Sequence, residues 1–363
     1  MRILFLTQYP KIAPSPRYRV YQLVEWLEQN GVQCDVRPLV DEAAYLKSRK
    51  KGNLLWKAKL MTSAYLKRRS IAKKARDYDL VYILKGAFMY GPPRIERLIR
   101  KTGVPMIFDF DDAIFIHKGS TSNGIVDRFR STDRIPETIK MVDRVVVPNS
   151  YLADYSSKLN PNVTVVAEAE DTVKFTSRPA HQPSDKIVIG WIGSPSTVKY
   201  LKLIQGALRE ICQRHPHVVI RTVGGNFESE GVRVENLPWT FDQEIPNFHS
   251  LDIGIMPLPM EEWSKGKSGC KLRQYMASGV PGVATKIGYN CELVENDDHG
   301  LLVETESEWV AALEKLVLDH ELRNKIAKAA RESVVQRFSI PVIGPQLIKA
   351  FEQTIQMRQG AKA

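Results

Sequence analysis

The stretch Gly266-Lys267-Ser268-Gly269-Cys270-Lys271 has the residue types of an anion site. Its Gly/Ser loop opens a predicted helix, Gly279 ends that helix, Pro281 turns the chain, and Gly282 to Thr285 reads as a buried strand. Backbone N–H groups at a helix start, with Lys267 and Lys271 beside them, suit a diphosphate. The same residues also fit a plain small-residue loop carrying two solvated lysines. A P-loop is excluded, because the glycine required ahead of Gly266-Lys267-Ser268 is Glu261.

A second loop, Gly190-Trp191-Ile192-Gly193-Ser194-Pro195-Ser196-Thr197, follows a predicted strand and precedes a helix. The hydroxyls of Ser194 and Thr197 can meet phosphate oxygens, and Lys199 adds charge. The pattern is not G-x-G-x-x-G, so a dinucleotide site is not indicated, and a tight β-α turn using glycine for backbone freedom remains open. A third group, Asp109-Phe110-Asp111-Asp112, stands where the strand Met106 to Phe108 ends. Three carboxylates there repel one another unless a cation or a hydroxylated ligand shares the site. Metal binding, acid/base work, recognition of sugar hydroxyls and an Asx turn with solvated neighbours all fit. Arg17 and Arg19, in a loop running into a helix after the first strand, are placed either to hold an anionic acceptor or as surface charges.

The elements that position these groups alternate. Ile3 to Leu6 reads as a strand, Arg19 to Asn30 as a helix, and Val32 to Val36 as the next strand. The pattern continues through strand 79–84, helix Pro93 to Thr102, strand Pro105 to Asp109, helix Pro136 to Met141 and strand Arg144 to Val147. It lapses in a polar stretch, Asp171 to Ser184, read as a linker. A second series then runs through strand Lys186 to Ile192, helix Tyr200 to His215, strand Val218 to Val223, strand Asp252 to Met256, helix Lys271 to Ser278 and strands Gly282 to Thr285 and Gly300 to Val303, with helices from Ser307 onward. Strands alternating with helices imply an α/β protein of two Rossmann-like, doubly wound domains facing across a cleft, with ligands at the carboxyl ends of the strands.

Composition narrows the class. At 363 residues, 43% hydrophobic and 26% charged, the chain reads as globular, with length for two domains. Its net charge of +11 is concentrated: residues 46–76 hold twelve Lys/Arg and no Asp or Glu, which leaves the rest near neutral. Within that segment Leu54, Leu55, Ala58, Met61 and Tyr65 recur at helical spacing with Trp56 at the flank. Such a helix either lies on an anionic bilayer surface or packs its Leu/Met face on its own domain. No nucleic-acid motif accompanies the charge, so nucleic acid is not an expected partner. The four cysteines are far apart, without C-x-x-C, and the histidines lack H-E-x-x-H; neither a disulfide framework nor a structural metal is expected. No apolar run reaches the ~18 residues of a membrane span, so a cytoplasmic location is expected, with peripheral contact on the inner face of the cell membrane.

Together these stretches resemble the family 4 glycosyltransferases (glycosyl transferases group 1). The order of Leu251 to Pro259, Gly266 to Thr285, Gly288 to Val294 and Gly300 to Val303 is similar to their second domain, and the likeness extends through the Gly190 loop, Asp109 to Asp112 and Asn149-Ser150. The resemblance implies a GT-B fold: an acceptor-side domain over residues 1–170, a nucleotide-sugar-binding domain over 185–340, and a C-terminal helix, 341–363, packing back toward the first. It implies transfer of a sugar from a nucleotide-sugar to a hydroxyl acceptor, retaining and metal-independent, with no cofactor, in bacterial cell-surface glycan assembly. The acceptor would be a glycan or a lipid-linked molecule. Carried over by position, Gly193, Ser194, Thr197, Lys199, Lys267, Ser268, Gly269 and Lys271 surround the diphosphate, with Lys267 and Lys271 stabilising the leaving group. Asp111 falls where many relatives have His and Asp112 where they have Asp; Asp111 is a catalytic or substrate-orienting candidate, and Asp109, Asp112, Asn149, Arg17 and Arg19 are substrate-binding ones. The family's two glutamates fall on Gly266 and Gln274, and Gln274 can still hydrogen-bond a ribose hydroxyl. A nucleotide-sugar 2-epimerase on the same fold, or a noncatalytic nucleotide-sugar-binding member, are the alternatives.

Overall fold

The computed structural model describes residues 1–50, 52–116, 134–179, 185–295 and 297–360. Lys51 of the basic segment, residues 180–184 of the polar stretch and the last three residues of the C-terminal segment lie outside the described residues. The chain divides into two units, Met1–Ala169 with Ile340–Ala363, and Glu170–Ser339.

In the first unit, β1 (Arg2–Thr7), β2 (Gln33–Pro38), β3 (Leu80–Leu84), β4 (Met106–Asp109), β5 (Arg144–Val147) and β6 (Val163–Val165) form one parallel sheet in the order β2-β1-β3-β4-β5-β6. Ile3 to Leu6 and all of β3 are buried, so they read as unbroken apolar runs, as strands covered on both faces must. One face is covered by helices Gln22–Gln29 and Ile340–Gly360. Phe351 of the latter lies edge-on against Phe5 of β1 and Tyr82 of β3, at 6.1 and 5.8 Å between ring centroids. Gly344 lets this helix approach, since a Cβ there would fall 2.3 Å from the Trp26 ring.

In the second unit, β7 (Ile187–Ile192), β8 (Val218–Val223), β9 (Val234–Leu237), β10 (Ile253–Met256), β11 (Gly282–Thr285) and β12 (Leu301–Val303) form a second parallel sheet in the order β12-β11-β10-β7-β8-β9. Three glycines lie in one row across it, Gly190 beside Gly254 and Gly254 beside Gly282. They let side chains sit directly on the backbone: Tyr275 on Gly254 and Leu272 on Gly282, both from helix Cys270–Ala277. A Cβ at Gly254 would fall 2.5 Å from the Tyr275 ring, so this row sets how deeply that helix seats.

Two expected elements differ in detail, and two strands were not expected. The helix expected from Arg19 begins as a π turn, Arg17–Tyr21, and becomes α-helical only over Gln22–Gln29; the wider winding puts Arg17, Tyr18, Arg19 and Val20 all inside. The helix expected over Tyr200 to His215 is a 3₁₀ segment, Val198–Ile204, followed by the α-helix Gln205–Arg214. Strands β6 and β9 are edge strands of three and four residues, too short to show a period.

The basic segment includes helix Leu54–Lys73, whose buried face is Ala64, Arg68 and Ala72 rather than the leucine stripe. Leu54 and Leu55 are 75% and 89% exposed, while Leu60 and Met61 pack partly against a small cluster with Tyr45 and Met89. Arg68 does not join the surface charge: its guanidinium donates to the carbonyls of Arg37 and Thr7, at 2.9 and 2.8 Å. Among the described residues, no helix is long and apolar enough to cross a membrane.

Candidate functional site

In open parallel sheets, ligands gather at the carboxyl ends where strand order reverses. In the second unit that point lies between β7 and β10. The loop after β7 begins with Gly193, whose N–H donates to the Val223 carbonyl at 3.0 Å. A side chain at Gly193 would come 2.5 Å from the Trp191 indole, so glycine is required for the chain to pass over that ring. The Ser194 hydroxyl lies 2.8 Å from that of Ser196 and 3.3 Å from that of Thr197, and the Thr197 N–H and hydroxyl both donate to the Ser194 carbonyl. The result is a compact hydroxyl-bearing turn ahead of Val198–Ile204, which has no side-chain cap. Lys199 is exposed, with its ammonium 5.7 Å from the Tyr200 ring centroid.

The second candidate anion element is helix Cys270–Ala277. Gly269 precedes it in the left-handed region at φ +66°, and no side chain caps its first turn. Two features fix its position. Tyr275 accepts from the Ile192 N–H at 3.1 Å, and its hydroxyl is 3.3 Å from the carbonyls of Gly190 and Ile255, which pins the helix to the ends of β7 and β10. Burial pushes the Tyr275 phenol up, so it stays a neutral donor and acceptor. Arg273 is fully buried, donates to the Ser268 carbonyl at 3.1 Å and stands 3.5 Å from the Glu170 carboxylate, which holds the loop ahead of the helix. Ser268 and Gln274 are buried in the same neighbourhood. The ammonium of Lys271 lies 5.3 Å from the centroid of the Trp191 ring, and that of Lys267 lies 3.5 Å from the Trp263 centroid. Trp191 therefore borders both the Gly193 turn and Lys271, and the structure brings the two sequence-predicted anion elements together.

The acidic group of the first unit divides in two. Asp109, at the end of β4, is 0% exposed and takes a bidentate bond from Arg19, 2.9 Å from Nε and 3.0 Å from Nη2. The Tyr82 hydroxyl also donates to it, and Arg19 is itself 3% exposed and donates to the Val166 carbonyl at 2.8 Å. Burial pushes the Asp109 carboxyl up while Arg19 pulls it back. Asp109 and Arg19 are thus a buried pair joining β4 to the π turn, and Arg19 is not a surface charge. Arg17 is buried too, donating to the Tyr18 hydroxyl at 2.6 Å. Asn149 is fully buried and its side chain accepts from the Leu152 N–H at 3.0 Å, capping helix Ser150–Ser157.

Asp111 and Asp112 do have a cation between them, and it comes from the protein. The Lys85 ammonium lies 2.6 Å from Asp111 and 3.1 Å from Asp112. Burial pushes that ammonium down, but the two carboxylates more than reverse this and hold it up. Lys85 directly follows β3, the neighbour of β4, so its place beside the acids follows from strand order. Its backbone is at φ +59°, in the left-handed region, and its carbonyl accepts from Gln8 at 2.8 Å and from Arg134 at 3.0 Å. Sequence reasoning missed Lys85, Arg273 and the roles of Trp191 and Tyr275. Only Lys85 had a signal, as the first residue beyond a strand. Among the described residues, no group of three or more His, Cys, Asp or Glu is arranged to hold a metal ion.

Residues 186–319, within the second unit, match the family model described as glycosyl transferases group 1. The D-inositol 3-phosphate glycosyltransferase of Corynebacterium jeikeium (strain K411) is 28% identical over 187 residues, 46% of this chain and 43% of its own length. The chain spans about half the length or less of the curated relatives it matches. Among solved structures, sucrose-phosphate synthase from Thermosynechococcus elongatus superposes with a TM-score of 0.70 at 15% identity, over 98% of this chain and 99% of that one. Anabaena HepE in complex with UDP-glucose superposes with a TM-score of 0.67 at 17% identity, over 97% and 100%. These two likenesses are of fold.

Proposed function

We propose that the protein transfers a sugar from a nucleotide-sugar donor to a hydroxyl acceptor, a reading supported by the match of residues 186–319 to glycosyl transferases group 1 and by the GT-B fold of the chain. The observation that carries this reading is the meeting of the Gly193 turn, the uncapped start of helix Cys270–Ala277 and Lys271 around one indole ring. As the glycosidic bond of the donor breaks, negative charge grows on the departing diphosphate. Backbone N–H groups and ammonium ions already aimed there lower that barrier without having to reorganise. Lys267 and Lys271 take that role, Ser194 and Thr197 bind phosphate oxygens, and Gln274 meets the ribose. Configuration is retained and no metal is needed, because the lysines supply the positive charge. In the first unit Asp111 and Asp112, held by Lys85, orient the acceptor hydroxyl. The relative solved with UDP-glucose supports a uridine donor as the first to try.

Incubation with UDP-, GDP- and ADP-sugars tests the reading. Slow release of nucleoside diphosphate is the expected result. Conversion of the donor to its epimer would make the protein an isomerase, and tight binding without turnover would make it a binding protein, the alternative raised by Gly266 and Gln274 standing where the family has glutamates. If no nucleotide-sugar binds, the proposal falls.

The acceptor reaches the protein at an anionic membrane, on this proposal, because the basic segment is exposed and joined to apolar residues. Lys59, Lys67, Arg69, Lys73 and Lys74 are exposed along the helix that presents Leu54 and Leu55 to solvent. Basic residues near an anionic surface contribute ~1 kcal/mol each, and the attraction is screened within about 10 Å at 0.1 M salt. Binding to phosphatidylglycerol-containing vesicles, but not to pure phosphatidylcholine, is expected. Leu54→Ser with Leu55→Ser should weaken it by about tenfold or more, since a fully buried Leu contributes roughly 1.5–3 kcal/mol. Failure to sediment with the phosphatidylglycerol vesicles would rule the membrane out, and equal sedimentation with neutral vesicles would rule out the role of the basic residues.

A further inference from the structure

Trp191 is almost fully buried on β7, yet its ring is shared by the parts of the site that must act together. On one edge it supports Gly193, where a Cβ would fall 2.5 Å from the ring, and Gly225, where one would fall 3.3 Å away. The Lys271 ammonium stands 5.3 Å from its centroid, within the range at which a cation is drawn to an aromatic face. The anion-binding backbone of one element and the ammonium of the other thus rest against a single rigid, nonpolar plate. Lys267 has the same arrangement with Trp263, at 3.5 Å. An ammonium over a ring is partly stripped of water and limited in where it can point, while still able to lean toward an anion above the turn. A flexible lysine without that support loses more freedom when it binds.

We propose that Trp191 is a positioning residue for the donor diphosphate, setting Lys271 against the Gly193 turn, and that Trp263 supports Lys267 in the same way. This rests on the donor site described under the proposed function. The contact is an electrostatic attraction of ring and ammonium, so its loss reads as weaker binding of the diphosphate, by about threefold to thirtyfold.

The experiment measures the affinity of UDP, GDP and ADP by calorimetry for the unsubstituted chain, Trp191→Leu, Trp191→Phe, Lys271→Ala and the double variant Trp191→Leu/Lys271→Ala, with folding checked by thermal unfolding. Weaker binding by Trp191→Leu, recovery in Trp191→Phe, and a loss in the double variant smaller than the sum of the two single losses are expected, because part of what Trp191 does is done through Lys271. A folded Trp191→Leu that binds as tightly as the unsubstituted chain, or losses that simply add in the double variant, would overturn the inference. Should Trp191→Leu fail to fold, Trp263→Leu with Lys267→Ala gives the same cycle at a less buried position, and additivity there overturns it equally. Absence of binding to the unsubstituted chain sinks the donor reading itself, a result distinct from binding that ignores the substitutions.

Discussion

Replacing Arg19 by methionine is expected to destabilise the first unit by about 3–5 kcal/mol, the usual cost of stranding one partner of a buried ion pair. Asp109 is fully buried, and its remaining hydrogen-bond partner in the contacts above is the Tyr82 hydroxyl. The carboxylate would then have to be kept charged in a poor solvent for charge or take up a proton on folding. The pH dependence follows from the direction of that shift. A carboxyl whose folded pKa is raised above its unfolded value favours folding below the unfolded pKa, near 4, and loses that advantage as pH rises through the folded pKa. The variant should therefore be closest to the unsubstituted protein in acid and furthest from it near pH 7. Urea unfolding followed at two or three pH values checks this; a loss under 1 kcal/mol at pH 7 would show that the pair is not the clamp described here.

The second large effect is at Lys271. Lys271→Ala should lower turnover of the donor by about a hundredfold or more, the scale found when one positive or hydrogen-bonding group is removed from a developing anion. Its effect on folding should be small. The residue is only partly buried near the start of its helix, and alanine is the best helix former. Steady-state rates beside a thermal melt separate the two. Unchanged turnover would remove Lys271 from the mechanism, and a large drop in melting temperature would mean that its partners matter more for packing than for chemistry.

Much of the fold was legible. Continuous apolar runs such as Ile3 to Leu6 are what a strand covered on both faces looks like, and helical spacing between them leaves a parallel α/β arrangement as the natural solution. The glycines of the Gly193 and Gly269 loops were legible as turns, but Gly254 and Gly282 were not legible as a seat for Tyr275 and Leu272, because that depends on which residues become neighbours across the sheet. The same limit hid Lys85. An ammonium ion 26 residues before Asp111 becomes its partner only because β3 and β4 are adjacent. The pairing of Arg19 with Asp109 was hidden for a related reason: charged residues near strand ends suggest ligands, and only burial reveals that these two bind each other. The apolar stripe of the basic helix was misread as one face because its first turn extends beyond the cluster that covers Leu60 and Met61.

The helix Ile340–Gly360 completes the sheet layer begun by Ile3 to Leu6, although the whole of Glu170–Ser339 separates them in the chain. On the ribosome this order matters. At roughly 5–20 residues per second, on the order of ten to thirty seconds pass between synthesis of β6 and arrival of the helix that covers Phe5 and Tyr82. During that interval the second unit, contiguous in the chain, can close, while the first has this face covered only by helix Gln22–Gln29. A frameshift or proteolytic cut near residue 340 is therefore expected to unsettle the unit made first while sparing Glu170–Ser339.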